Sequence, residues 1–210
     1  EWYGQSADFN YKAKIMIDLT SSAKILKYCE FKNYPIASFN IIYIEGLTIN
    51  GRLNDDEPNQ FNDVRAVFDR ERCLDCWQAT CEPGAWYTHT PMNPDGAFRI
   101  AFGFHKEAWE IGIHGNSEPH EALVQVGEVR GFRDYNQDFI RPGDREVRGY
   151  YGINQHWGYD MPPGDIGQAS AGCLVGRSRF GHQQFMQFCK NSGLQLFSTI
   201  VIPGNEVFKF

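Results

Sequence analysis

Apolar positions along this chain recur at two spacings. The stretch "TSSAKILKYCE" opens on Thr and Ser suited to an N-cap and brings Ile25, Leu26 and Cys29 to one face, which predicts a short helix. From Ser38 the pattern changes to that of strands. "SFNIIYIEG", "DVRAVFD" and "CWQATC" read as three of them, with the turn-rich "LTINGRLNDDEPNQ" after the first. "EPGAWYTHTPMNPDGAF" has Pro-Gly and Asp-Gly turns around one short strand that carries Trp86 and Tyr87, and "AWEIGIHG" and "EALVQVGEVRGF" give two more strands. Helical spacing returns in "SRFGHQQFMQFCKNSG", where Phe185, Phe188 and Cys189 share a face and Gly193 suits a C-terminal stop. "LQLFSTIVIPGNEVFKF" reads as a strand pair around Pro203-Gly204. No repeat or low-complexity tract interrupts the series. The expectation is a mainly β domain over residues 36–210 with one or two short helices, preceded by an N-terminal appendage at residues 1–35.

Composition narrows the partners. The 210 residues suffice for one full core, and 42% hydrophobic with 15% aromatic content marks a globular chain. The 16 Phe and 10 Tyr favour sheet. No apolar run approaches the ~20 residues that span a bilayer, so no transmembrane segment is expected. Lys plus Arg number 20 against 26 Asp plus Glu, and this mild acidity disfavours a nucleic-acid partner, whose phosphates call for a basic face. A start at Glu1 rather than Met suggests a processed or trimmed product. The acidic "NDDEPNQFND" lacks the ordered ligands of an EF-hand loop and reads as a solvated connection.

Six cysteines stand at 29, 73, 76, 81, 173 and 189. In "CLDCWQATC" a C-x2-C offers half a zinc site, but no second Cys/His pair follows at ligand spacing. A disulfide within this group or plain buried thiols are the remaining readings.

The stretch from Tyr150 to His182 is different in kind. It places His156, Ser170 and Cys173 among many glycines. A thiol attacks a carbonyl as thiolate, so it needs a base within hydrogen-bond reach, and neutral imidazole is the common one. The tetrahedral oxyanion needs donors, which backbone N–H groups at a tight turn can supply. Ser170-Ala171-Gly172-Cys173 fits both needs, although a lone Cys is also an ordinary small core residue.

"GINQHWG…IGQASAGCLVGR" resembles the catalytic signature of the L,D-transpeptidase family: a His beside a Gly, a loop, an Ile-Gly element, then Ser/Thr-x-Gly-Cys. The close match runs over residues 150–177, and "GCLVG" before a helix also resembles phage-associated domains related to these enzymes. The resemblance implies a β-sandwich-like catalytic domain with Cys173 as nucleophile and His156 as general base. It also implies the Gly172 and Cys173 amides as oxyanion hole, Ser170 in support, and no cofactor. The substrates it implies are peptidoglycan stem peptides, met in the periplasm, the cell envelope or a virion assembly. The order His before Cys is the opposite of that in papain-like and NlpC-type peptidases. Two positions depart from the family: Val175 stands where an Arg usually follows the Cys, and Ala171 stands where several members carry His. Arg177 or Arg179 are the nearest replacements for that Arg.

Other polar chemistry gathers in "IGIHGNSEPHEAL". His114 is placed to line the same cleft as His156. His114 and His120 with Glu118 or Glu121 also raise a zinc reading, but Pro119 prevents the helix that an H-E-x-x-H site requires. His182 is expected to be solvated in the first turn of the last long helix. Trp157 and Tyr159 follow the expected base and could cover a bound peptide or stack on a sugar.

Overall fold

The computed structural model describes residues 17–209. Residues 1–16 of the expected appendage lie outside the described residues. The first helix, α1 (Leu19–Phe31), is capped two residues before the Thr that opens its signal: Asp18 is the N-cap, and its carboxylate accepts from the Ser21 N–H at 2.7 Å. Ile25, Tyr28 and Cys29 are buried on its inner face, as the spacing predicts.

The strands are β1 (Asn40–Glu45), β2 (Asp63–Phe68), β3 (Cys73–Thr80), β4 (Ala97–Ile100), β5 (Gly103–His114), β6 (His120–Gln125), β7 (Val129–Asp134), β8 (Arg145–Gly149), β9 (Gln155–Trp157), β10 (Leu174–Gly176) and β11 (Phe197–Pro203). Eight of them close into a barrel in the order β1-β11-β5-β6-β9-β10-β3-β2, and β4-β7-β8 form a separate three-stranded sheet. The fold is therefore mainly β, with its strands in a ring and a side sheet rather than in two facing layers. Two neighbours in the ring, β1 with β11 and β9 with β10, run parallel. Three further helices are α2 (Ala85–His89), α3 (Arg179–Asn191) and α4 (Gly204–Val207).

Alternation along β1 explains both cores. Ile41 and Tyr43 point into the ring, where they share a cluster with Trp109, Leu123, Leu174 and Val201. Ile42 and Ile44 point outward into a second cluster with Ile25, Cys29, Ile200 and Val207, under α1 and α4. All six β1 residues are buried, because a strand covered on both faces reads as a continuous apolar run. The Tyr28 hydroxyl donates to Glu206 at 2.7 Å and joins α1 to α4 on this outer face. Among the described residues no helix is long and apolar enough to cross a membrane.

The helix α3 belongs to the inner cluster through Phe185, Met186 and Cys189. Its N-cap is Ser178, whose hydroxyl accepts from the Gly181 N–H at 3.0 Å. His182 is 1% exposed, which corrects its expected solvation. Its position, three residues before Phe185 and seven before Cys189, is itself on the buried stripe. Arg65 of β2 is also fully buried and donates to His182 Nδ1 at 3.1 Å, with the Phe185 ring 4.0 Å from its guanidinium carbon. A side chain at Gly176 would begin 2.2 Å from this guanidinium, so that glycine makes room for it.

Several expected elements differ. Trp86 and Tyr87 lie on the single turn of α2, closed by Thr88 N–H to Gly84 O at 3.0 Å, instead of on a strand. The segment 121–132 is divided between two sheets as β6 and β7, because Val126 and Gly127 both donate to Ala108 O and turn the chain out of the ring. After β11 the chain forms α4 rather than a second strand. Gly204 packs so closely that a Cβ there would lie 2.6 Å from Glu45 O. All six cysteines are free thiols, so the "CLDCWQATC" group consists of buried thiols and not a disulfide.

Candidate active site

The parallel pair β9–β10 sets Leu174 opposite Gln155 and Val175 opposite His156. Alternation then sends Gln155 and Leu174 inward, where the Gln155 amide donates to Thr199 Oγ1 at 2.7 Å. His156 faces the other way. Cys173, one step before β10, shares that outer face and packs in a small cluster with Val175, Ile166 and Ala169. His156 and Cys173 both line one open cavity of about 600 Å3, together with His114, Tyr159, Arg133 and Tyr151.

Local bonds fix the tautomers. His156 Nδ1–H donates to Trp157 O at 2.7 Å, which leaves Nε2 as the lone-pair nitrogen. The His114 ring stacks on His156 with centroids 4.0 Å apart. Asn154 Oδ1 accepts from the Gln125 N–H at 2.9 Å, so its amide nitrogen is the group that meets His114 Nδ1 at 3.0 Å. The two stacked imidazoles therefore hold their protons on opposite nitrogens. Burial, with His114 next in effect, lowers the His156 pKa to about 3, and burial also lowers those of His114 and His120.

The Cys173 sulfur accepts from the Asn154 N–H at 3.4 Å, and its S–H is 3.5 Å from Gly152 O. Burial pushes the thiol up to about 11, against the smaller opposite effect of the Asn154 N–H. The resting pair is thus a neutral thiol and a neutral imidazole.

The turn before Cys173 is built by Ser170. Its hydroxyl donates to Cys173 O at 2.9 Å and accepts from the Gly172 N–H at 3.1 Å. Ser170 therefore orients the backbone at Cys173. The Gly172 amide is already donated to that hydroxyl, while the Cys173 N–H has no acceptor among the described residues. Gly172 has φ +129°, and a Cβ there would lie 2.6 Å from Phe98 O, so only glycine lets the turn nest against β4.

The other expected residues divide. Tyr159 lines the cavity. It starts the loop with φ +56°, next to Asp160, whose carboxylate accepts from the Arg179 N–H at 2.9 Å. Trp157 is buried, stacks on His120 with centroids 3.7 Å apart, and does not line the cavity. Arg177 is not there either: it donates to Gln78 at 2.6 Å and to Met161 O at 3.0 Å, clamping the loop from outside. Arg179 is held by Glu118 and Asp160, at 2.8 and 2.7 Å. His120 Nδ1–H donates to Glu118 O at 2.8 Å, so that nitrogen is not open to a metal.

Two site residues escaped the sequence. Asn154 had a signal, since it stands two residues before His156 and shares its face by strand alternation. Arg133 had none, because it enters from the side sheet through the pairing of Phe98 with Arg133. Comparison of the chain with family models, with curated proteins and with solved structures gave no match.

Proposed function

We propose that this chain is a cysteine-dependent acyltransferase of the L,D-transpeptidase type, acting on peptidoglycan stem peptides in the envelope or on a virion. One observation carries the reading: Cys173, one step before β10, and His156 on the parallel neighbour β9 line one cavity, with the free nitrogen of His156 fixed as Nε2. In this reaction the sulfur attacks a peptide carbonyl while its proton moves to His156 Nε2. The imidazolium then protonates the leaving amine, and a Cys173 thioester remains. An acceptor amine, or water, attacks the thioester and restores the thiol; the first outcome is transpeptidation and the second hydrolysis. Because both groups are neutral at rest, proton transfer must accompany attack. The Cys173 N–H, free of an acceptor, is the backbone donor available to the oxyanion.

The test is incubation of muropeptides with the wild type and with Cys173→Ala, followed by mass spectrometry. Cross-linked or trimmed products from the wild type alone are expected. An intact fold with no turnover by either protein removes the enzymatic reading.

A second reading is a non-catalytic wall-binding or structural module of the same fold. The raised thiol pKa favours it, since ordinary buried thiols behave in the same way. Under it, native Cys173 reacts with electrophiles no faster than the five other thiols.

A further inference from the structure

Among the described residues, the cavity that holds Cys173 is lined by no carboxylate. Apart from its histidines, the one described lining side chain charged at neutral pH is Arg133. This is notable in a chain with a formal net charge of −6. The Arg133 guanidinium lies over two aromatic rings, 4.9 Å from the Tyr151 centroid and 5.5 Å from that of Phe98. Those rings are themselves 5.0 Å apart. The absence of a side chain at Gly131 makes this possible, because a Cβ there would lie 2.2 Å from the Phe98 ring. Arg133 donates to Gly96 O at 3.2 Å and has no carboxylate within salt-bridge distance among the described residues. Asp95, whose charge reaches it, is held by Arg145. Burial pulls the Arg133 pKa down, as befits a guanidinium not neutralised by a partner, yet it stays charged at any physiological pH.

We propose that Arg133 is the anion anchor of this cavity and that the peptide held beside Cys173 is recognised there by a free carboxylate. A rigid, stacked guanidinium with unused donors matches a carboxylate through two parallel hydrogen bonds. This rests on the acyl-transfer reading, for which it names the substrate class: an acidic peptide rather than a neutral or amidated one. Arg133 is a specificity-determining residue that touches substrate and takes no part in proton transfer.

The test uses binding, so it is independent of turnover. A synthetic stem tetrapeptide with free carboxylates, and the same peptide fully amidated, are titrated calorimetrically into the Cys173→Ala protein. The same titrations follow in that protein with Arg133→Gln or Arg133→Lys. The acid form is expected to bind about 10- to 100-fold more tightly than the amide, the usual worth of a charge-assisted bidentate contact. Arg133→Gln should abolish that preference and Arg133→Lys keep part of it. Circular dichroism of each variant checks the fold, and a merely structural role would weaken both peptides equally. Equal affinity for acid and amide before Arg133 is changed, binding of neither, or a preference that survives Arg133→Gln overturns the proposal. The acyl-transfer reading is judged separately, by turnover with Cys173 intact.

Discussion

His156 and Cys173 sit on one face without forming an ion pair, and that has a measurable signature. With the thiol near 11 and the imidazole near 3, the thiolate fraction grows about tenfold per pH unit through the neutral range. Alkylation of Cys173 by iodoacetamide should therefore climb with unit slope from pH 6.5 to 9.5. A plateau at or below pH 8 would reveal a preformed thiolate–imidazolium pair and contradict this geometry. With a peptide substrate, His156→Ala should slow acylation by roughly 10²–10⁴-fold, the usual effect of losing a general base. His114→Phe, which keeps the stacked ring but not its nitrogens, should slow it far less. The reverse ranking in stopped-flow acylation would assign the base to His114.

Among the elements, the turn Ser170–Cys173 tolerates little change. Gly172→Ala would set a Cβ 2.6 Å from Phe98 O at a backbone angle that L-residues rarely adopt. The expected loss is about 1–3 kcal/mol in urea unfolding, together with acylation slowed beyond what stability explains, because the turn aims the sulfur. Unchanged stability and unchanged acylation would show that the turn tolerates the shift. Six of the eight ring strands were legible because their apolar positions alternate or run on, as in "SFNIIYIEG", whereas β9 and β10, three residues each, are too short to show a pattern. The helices α2 and α4 were not, since one turn is too short to display a period. The burial of His182 follows from its place on the helix stripe with Phe185 and Cys189, which its polar side chain masks in the sequence. That His156 and Cys173 line one cavity agrees with their order and the loop length between them, whereas no hydrogen bond joins the two among the described residues. The contribution of Arg133 depends on a long-range pairing between β4 and β7 that no local pattern encodes.

At the scale of the whole molecule, opposing titrations set the response to acid. His105, His156 and His182 are lowered by burial to about 4, 3 and 2. Their unfolded forms take up protons near 6.5, so their contribution is complete above that pH and is lost as pH falls towards those values. Glu82 and Asp63 act in the opposite sense. Burial raises Glu82 to about 7 and Asp63 well above its ordinary value, so their contribution is present at low pH and lost as pH rises through the raised values. Between pH 7 and 5 the two sets act in opposite directions, so the unfolding free energy should change less than the lowered histidines alone would make it. Below about pH 4 the raised acids are protonated in both states and no longer offset the histidines, while carboxylates held low, such as Asp160 hydrogen-bonded to Arg179, begin to lose their own contribution, so stability should fall steeply. Urea titrations across this range check the shape, and a steep loss already between pH 7 and 5 would show that the acids are not raised.

The contact between Tyr28 and Glu206 gives the molecule a handle. It brings the beginning and end of the described chain together over β1 and β11, and in a ring of eight strands β1 stands across from β9, beside the cavity. A tether or fluorophore attached to the exposed Lys209 side chain would therefore hold the protein by its back, with the thiol side turned outward. Immobilised on a bead in this way, the chain could meet a polymer as large as a cell-wall fragment without its support standing in the path.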